Sequence, residues 1–296
     1  LILLLTATIW GMAFVSQSKG MDYMHPFTFN GVRSLIGAAG ILVYILISRK
    51  IAGDKAAKLD WKLNVRAGLL CGIFLTIAST LQQFGIKYTS VGKAGFITTL
   101  YIIFVPMFGI FLKKKVAPVV WAAAGMAAVG MYLLCMTESL RLGAGDIMVF
   151  LCAIAFAIQI MTVDHYAERI DGAVVSCIQF TVCGVVCCIG ALIWGQPTFG
   201  QLQDGLGALL YAGVLSCGVG YTLQIVGQKG LNPTVAALIM SLESVIATIS
   251  GWIAYKIGFL STDQTLTPRQ IAGCVIVFTA VILVQLPPEW FRFGKK

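Results

Sequence analysis

Polar residues in this chain come in short clusters separated by long apolar stretches, a spacing too coarse for a soluble fold. A membrane-crossing helix needs about 20 mostly apolar residues. Ten stretches fit or approach that length, near Ile2–Ser18, Phe27–Ser48, Val65–Ile86, Gly92–Leu112, Pro118–Met136, Asp146–Val163, Ala173–Trp194, Leu206–Gly227, Pro233–Tyr255 and Arg269–Leu286. The pattern predicts an all-α integral membrane protein with ten transmembrane helices. Ile2–Ser18 is read as the first span and not as a signal peptide, because no charged region precedes it and no convincing small-residue cleavage site follows.

The stretches also repeat. At an offset of 142 residues, Leu81 matches Leu223, Gln82 Gln224, Gly85 Gly227, Lys87 Lys229, Ala94 Ala236, Ile97 Ile239, Leu100 Leu242, Gly109 Gly251 and Lys114 Lys256, without a gap. The offset holds five predicted spans, and five is odd, so the second copy must run upside down. We expect two inverted five-helix repeats, 1–140 and 141–296, forming one transport unit. Weak inverted symmetry of this kind marks transporters whose site lies near the bilayer midplane. The longest polar link, Arg49–Asn64, joins helices within the first repeat; the repeat boundary falls near Glu138–Gly145.

Composition agrees, with 58% hydrophobic residues, 11% charged residues and a mean hydropathy of +0.90. A soluble domain so composed would expose more apolar surface than water tolerates, so the lipid bilayer is the expected surrounding. The net charge of +9 is mostly a topology signal. Arg49, Lys50, Lys55, Lys58, Lys62, Arg66, Lys113, Lys114, Lys115, Arg169, Lys229, Arg292, Lys295 and Lys296 fall on one side. Lys19, Lys87, Lys93, Arg141, Lys256 and Arg269 fall on the other. The positive-inside rule then puts both termini in the cytoplasm. Lys113-Lys114-Lys115 reads as a stop signal touching lipid headgroups. No soluble face remains to carry a nucleic-acid site.

Cys71, Cys135, Cys152, Cys177, Cys183, Cys187, Cys188, Cys217 and Cys274 all lie in predicted spans, where cysteine packs as a small apolar residue. Cys183 and Cys187 share a helix face, but no His joins them, so no metal is expected. Nucleophile elbow, His-Glu-x-x-His helix and phosphate-binding glycine loop are all missing from the sequence. The chain is therefore not expected to be an enzyme, to need a cofactor or to pump with nucleotide; a gradient must supply the energy.

Ala94-Gly95-Phe96-Ile97-Thr98-Thr99-Leu100-Tyr101-Ile102-Ile103-Phe104-Val105-Pro106 resembles the fourth-helix signature of EamA-like members of the drug/metabolite transporter superfamily. Trp10-Gly11 with Phe14, Pro26-Phe27 leading to Arg33, Trp121 with Gly125 and Gly130, Gln179-Phe180, and Ala237 to Val245 extend the resemblance over the whole chain. It implies ten helices in two inverted repeats, alternating access through a central cavity, and a small-molecule substrate such as an amino acid, amine, nucleotide sugar or drug-like cation. The expected location is the plasma membrane of a prokaryote. Two positions depart from the family pattern: Ser244, where proline usually follows Glu, and the lengthened loop Ile257–Thr267.

Glu243 is the first candidate site residue, since a carboxylate within a span costs about 2.5 kcal/mol or more unless something offsets it. It reads either as a cation-binding and proton-coupling group or as a packing carboxylate bonded to a neighbouring helix. Tyr101 is its partner at the 142-residue offset and offers a ring and a hydroxyl to an amine or aromatic substrate. Arg33, in the outer half of the second span, is the only basic residue expected to be buried within a span rather than at its end. It either ties to Glu243 or helix carbonyls, or binds a substrate carboxylate, and the second case with Glu243 would suit a zwitterion. Gln82 and Gln224 stand at equivalent places, with Gln83, Gln159 and Gln179 as further amides, to line a cavity or glue the repeats. Trp10, Phe14 and Tyr221 complete an aromatic wall. Pro106, Gly218 and Gly220 are candidate hinges against a background of close glycine packing, as at Gly92 and Gly95, while Pro233 is an ordinary helix start. Asp164, Glu168, Arg169 and Asp171 form either a solvated loop or an inner gate.

Three function classes remain: a secondary transporter of small polar metabolites, a channel or scramblase, and a membrane enzyme. Export of amino acids or related metabolites leads, and import of an organic cation or amine is the runner-up. The proton is the candidate coupling ion, and the assembly is expected to be a monomer or weak homo-oligomer.

Overall fold

The computed structural model describes residues 1–53, 59–112, 118–135, 143–260 and 265–285, the side chains of 131, 134, 135, 284 and 285 excepted. Lys55, Lys58, Lys113, Lys114, Lys115, Arg141, Arg292, Lys295 and Lys296, the 140/141 boundary and positions 261–264 of the lengthened loop lie outside the described residues. Within them every regular element is helical. The long segments are α1 Ile2–Gly20, α2 Pro26–Ala52, α3 Trp61–Ile86, α4 Val91–Phe111, α5 Pro118–Cys135, α6 Ala144–Arg169, α7 Gly172–Gly195, α8 Leu206–Gln228, α9 Pro233–Lys256 and α10 Pro268–Gln285. Among the described residues α2, α3, α4, α6, α7, α8 and α9 are long and apolar enough to cross a membrane, and α5 and α10 hold shorter apolar helices.

Polar caps, more than hydropathy, decide where the helices begin. Asp60 accepts from the Leu63 amide at 3.0 Å, so α3 starts four residues before its apolar stretch. Asp171 accepts from the Ala173 and Val174 amides to open α7, and Asn232 accepts from Thr234 ahead of Pro233 in α9. Each cap answers amides that the first helical turn leaves unpaired.

The packing repeats itself across the two halves. Helix α3 packs on α6 and α7, α1 on α8 and α9, α2 on α7 and α8, α4 on α6 and α9, and α5 on α10. Exchanging α1–α5 with α6–α10 returns the same set of neighbours, as a two-fold relation requires. The ends show the inversion. Ala52, Asp60, Arg169 and Lys229 gather at one end of the bundle, called here the basic end, so the α2–α3 link lies there. Its counterpart, the α7–α8 link, lies at the opposite end, where Trp194 stacks on Phe27 and Gly205 abuts Tyr23 and Met24.

One buried ion pair ties the opposite end together. Asp146 at the start of α6 accepts from Lys93 Nζ at 2.6 Å, Thr89 Oγ1 at 2.9 Å and the Gly143 amide at 2.9 Å. Asp146 is 4% exposed, whereas Lys93 keeps a partial view of solvent. Asp146→Ala leaves three donors without their acceptor, and a loss of about 2 kcal/mol is expected, seen as a lower Tm in detergent.

Two interruptions sit at matched places. Helix α4 breaks at Leu100, between Val91–Thr99 and Tyr101–Phe111, and α9 breaks at Ser241–Leu242, between Pro233–Met240 and Glu243–Lys256. Leu100 and Leu242 are offset partners, and both amides bond three residues back, to Ile97 and Ile239. Pro106 lies inside the continuous second half of α4, and its offset partner is Thr248, not proline. The break therefore belongs to the repeat rather than to Pro106. At Ser244 the amide bonds to the Ser241 carbonyl at 3.1 Å and the hydroxyl to the same carbonyl at 2.8 Å, two bonds that a proline there lacks. In α8, Tyr211–Gly220 winds with the wider five-residue hydrogen bond, a form often found at functional sites.

Candidate functional site

The two breaks meet at the centre of the bundle. Tyr101 is the first residue after the break in α4 and Glu243 the first after the break in α9. The Tyr101 hydroxyl donates to Glu243 Oε1 at 3.0 Å. Residues that a two-fold axis exchanges can touch only beside that axis, so this pair marks the centre of symmetry. Both are buried, at 2% and 4% exposure. Glu243 also stands in the first turn of its half-helix, at the end of that half-helix whose dipole favours negative charge. Gly11 lets α1 reach this point, since a Cβ there would lie 2.7 Å from the Glu243 carbonyl oxygen.

A cavity surrounds the pair. Of the ten predicted substrate residues, Glu243, Tyr101, Gln82, Gln224, Arg33, Trp10, Phe14 and Tyr221 line it. The space between the lining side chains is about 460 Å³, yet only about 30 Å³ has room for the centre of a water-sized body. Trp10 packs on Tyr221 with centroids 4.5 Å apart, and Phe180 meets Tyr221 edge-on at 5.0 Å, so the aromatic wall is continuous. Gln83 and Gln179 sit behind the lining: Gln83 Nε2 donates to the Gln17 carbonyl at 3.2 Å, and Gln179 Oε1 accepts from Gln159 Nε2 at 3.5 Å.

Two expected contacts differ. Arg33 is not tied to Glu243: its Nε donates to Asn30 Oδ1 at 2.8 Å and its guanidinium lies 5.5 Å from the Phe29 ring. Among the described residues the ion pairs are Lys19–Asp22 and Lys93–Asp146. One helical turn separates Asn30 from Arg33, and this local bond wins over one reaching across the bundle. Nor do the paired amides glue the repeats. Gln82 donates to Thr98 Oγ1 at 3.2 Å within the first half, and Gln224 to Gln159 Oε1 at 3.2 Å within the second. The cavity thus holds an acid and a base that do not neutralise each other. Trp10 Nε1, Gln17 Oε1 and Gln224 Oε1 are buried beside it without a protein partner among the described residues. Such atoms are costly until a ligand or water meets them.

Gln159, one of the further amides, also lines the cavity; Ala13, Gln17, Thr98, Phe156, Ile160 and Ser216 complete the lining and were not singled out from the sequence. The signal for some was present, because the 142-residue offset pairs Phe14 with Phe156 and Gln17 with Gln159. Gly220 also gains a role. A Cβ there would lie 2.6 Å from Trp10 Nε1, so this glycine seats the indole, whereas Gly218 faces nothing nearer than 3.5 Å. Gly95 gives α4 a close approach to α9, with Ala247 Cβ 3.3 Å from where its own Cβ would stand.

The ends of the bundle are filled unequally. At the basic end, α2, α7 and α8 line an open vestibule of about 610 Å³. Arg49, Glu168, Arg169, Asp171 and Lys229 line it. Its rim is bonded rather than loosely solvated: Asn64 Oδ1 accepts from the Asp171 amide at 2.9 Å, and Lys229 Nζ donates to the Ile170 carbonyl at 3.3 Å. At the opposite end, Phe27 meets Phe84 edge-on at 5.1 Å and stacks on Trp194 at 5.5 Å, and His25 meets Phe84 at 5.5 Å. Under the 142-residue exchange Phe27, Phe84 and Trp194 correspond to Arg169, Val226 and Ala52, all three of which line the vestibule. Aromatic rings cluster at one end as a plug, with Phe27 and Phe84 half-buried and Trp194 exposed at its outer edge, where smaller or charged side chains leave the other end open. Burial holds His25 below its ordinary pKa, and the Lys87 charge lowers it further. Protonation below about pH 6.5 therefore weighs against the packed plug. Among the described residues no cluster of three or more His, Cys, Asp or Glu is placed to hold a metal.

The model of the EamA-like transporter family matches residues 1–136 and again 143–286. An uncharacterized transporter of Archaeoglobus fulgidus is 27% identical over 290 residues, covering 96% of this chain and 84% of the relative. The uncharacterized transporter YwfM of Bacillus subtilis is 24% identical over 293 residues, covering 98% and 94%. A solved crystal structure shares the fold with a TM-score of 0.70 at 16% identity, over 97% of this chain and 99% of that one.

Proposed function

The chain belongs to the EamA-like transporter family, and from that premise we propose that it moves small polar metabolites by alternating access, with ten spans in two inverted repeats. It is a membrane transporter and not an enzyme. The unequal filling of equivalent positions at its two ends carries the mechanistic reading. An inverted-repeat transporter reverses its access when the halves trade conformations. With the basic end in the cytoplasm, this state faces inward: vestibule open, outer plug packed, central cavity pinched between them.

Substrate enters the vestibule and widens the pinched cavity. Glu243 and Arg33 offer opposite charges, the Trp10–Tyr221 wall offers an apolar face, and the unpartnered Trp10 and Gln224 atoms offer one donor and one acceptor. This set suits a zwitterion, and amino acids or related metabolites moving outward are the favoured cargo. Import of an organic amine is the second reading, supported by the Glu243 carboxylate beside aromatic rings. Proton binding at Glu243 supplies the coupling, exchanging with substrate for the carboxylate. Breaks at Leu100 and Leu242 give the half-helices a place to swivel.

Saturable uptake of an amino acid into proteoliposomes, accelerated by the same amino acid inside, is the expected result. Flux that rises linearly with concentration and shows no acceleration would favour a channel or scramblase. Phe84→Ala removes the ring that touches both His25 and Phe27. Aromatic contacts are worth about 1 kcal/mol each, so the plug should loosen by about 2 kcal/mol, or about thirtyfold in the ratio of open to closed. Labelling of a cysteine placed at Gln17 by an impermeant reagent from outside reads this directly and should speed up.

A further inference from the structure

A row of buried amides leads away from the cavity toward the basic end. Gln224 Nε2 donates to Gln159 Oε1 at 3.2 Å, and Gln159 Nε2 donates to Gln179 Oε1 at 3.5 Å, which joins α8, α6 and α7. Three amides in a row make two internal bonds, so each end amide keeps one polar atom over: Gln224 Oε1 and Gln179 Nε2. Turning all three amides around swaps oxygen for nitrogen but leaves the same two places unfilled. One turn on, Gln228 Nε2 donates to the Ile160 carbonyl at 3.4 Å and keeps Oε1 over, and Ser176 Oγ has no protein partner among the described residues. These side chains are at most 2% exposed.

The spacing gives the row a direction. Gln228 lies four residues beyond Gln224, and Ser176 three before Gln179, steps of about 6 Å and about 4.5 Å along their helices toward the basic end. Gly172, Ala173 and Lys229, which line the vestibule, follow directly, and Val226, between Gln224 and Gln228, lines it too. At the inner end Gln159 and Gln224 share the cavity with Glu243. The other half does not repeat this row at the matched positions, although Asn30 Nδ2 and Thr28 Oγ1 on α2, toward the opposite end, are also buried without a protein partner among the described residues. The offset partners of Gln179 and Gln228 are Gly37 and Ile86, and that of Ser176 is Ser34, which donates to Cys183 Sγ at 3.5 Å. Gln17 and Gln83 keep an oxygen over beside the cavity, but glycine and isoleucine hold the outward steps. A buried polar atom left unbonded costs about 1–3 kcal/mol, and water with two to four polar neighbours removes that cost.

We propose that a file of buried water runs along these amides from the Glu243 cavity to the vestibule, and that protons reach and leave Glu243 from the basic end along it. The bound species is water, with hydronium in transit. A hydronium at the inner end gives one proton to the Glu243 carboxylate and becomes water; the reverse step returns it. The amides orient the file and do not titrate. The proton role rests on Glu243 being the coupling carboxylate.

The double variant Gln179→Leu/Gln228→Leu removes two polar steps and leaves the cavity lining intact. In proteoliposomes its pH-gradient-driven transport should fall by about fivefold or more, while substrate counterflow, which needs no net proton movement, stays at the parent rate. Glu243→Gln in the same assay separates the two claims. If it abolishes gradient-driven transport and the double variant does not, the file is not the route. If Glu243→Gln leaves that transport intact, the coupling role fails and the file stands or falls on water alone. Ordered water within hydrogen-bonding distance of Gln179, Gln224 and Gln228 in a high-resolution structure of the unmodified protein is the expected observation. Direct protein partners at all three leftover atoms would overturn the file, whether or not the double variant folds.

Discussion

Glu243→Gln is expected to bring pH-gradient-driven transport close to background, while counterflow persists at saturating substrate with a weakened substrate affinity. The substitution keeps the shape of the side chain and an oxygen to accept from the Tyr101 hydroxyl, so the 3.0 Å contact at the centre of symmetry can persist. What disappears is the charge, and with it the proton site. A small loss of about 0.3–1 kcal/mol follows because the start of the half-helix no longer faces a carboxylate. Coupling between ligands is typically worth about 1–3 kcal/mol, or about 5- to 150-fold, and a loss of that size in the gradient-driven rate comes on top of the weakened affinity. Equal loss of counterflow at saturating substrate would mean that Glu243 serves binding or structure without coupling.

Gly220→Ala and Gly218→Ala should part company sharply, although they lie two residues apart on one helix. At Gly220 the added methyl would stand 2.6 Å from Trp10 Nε1 and 3.1 Å from Cδ1. The indole already rests on Tyr221, so it must turn out of the cavity wall. Overpacking of this kind costs about 1–3 kcal/mol, and the loss should appear as about tenfold or more in substrate affinity. At Gly218 the nearest atom is the Gly213 carbonyl oxygen at 3.5 Å, which is ordinary contact. Alanine there should transport like the parent, with an unchanged or higher Tm. The opposite outcome, a silent Gly220→Ala and a slow Gly218→Ala, would return flexibility in α8 as the function of these glycines.

The fold was legible because hydrophobic length and an odd-numbered repeat leave few arrangements. Matched offsets at Leu81–Lys114 implied the inversion, and matched helix neighbours bear out the repeat. Helix starts were less legible, since Asp60, Asp171 and Asn232 act through a single hydrogen bond that hydropathy does not see. In the cavity, Tyr101 and Glu243 were found as partners because both stand out chemically. Gln17 and Phe156 were passed over because a lone Gln or Phe in a span looks ordinary until its partner is noticed. Of the alternatives open to Arg33, the tie to Glu243 is not formed, for a physical reason: opposite charges in lipid invite pairing, but Asn30 sits one turn away and answers Arg33 locally. The plug of Phe27, Phe84 and Trp194 had a signal of another kind, a place where the repeat breaks its own symmetry.

Alternation between the two ends is the central claim, and distances between spin labels test it most directly. One pair, at Lys50 and Lys229, spans the vestibule; another, at Tyr88 and Gln203, spans the plugged end. With native cysteines replaced and the transporter active in lipid, adding substrate under a pH gradient should shorten the first distance in the population that lengthens the second. Both distances shifting in the same direction, or neither shifting while transport proceeds, would contradict alternating access.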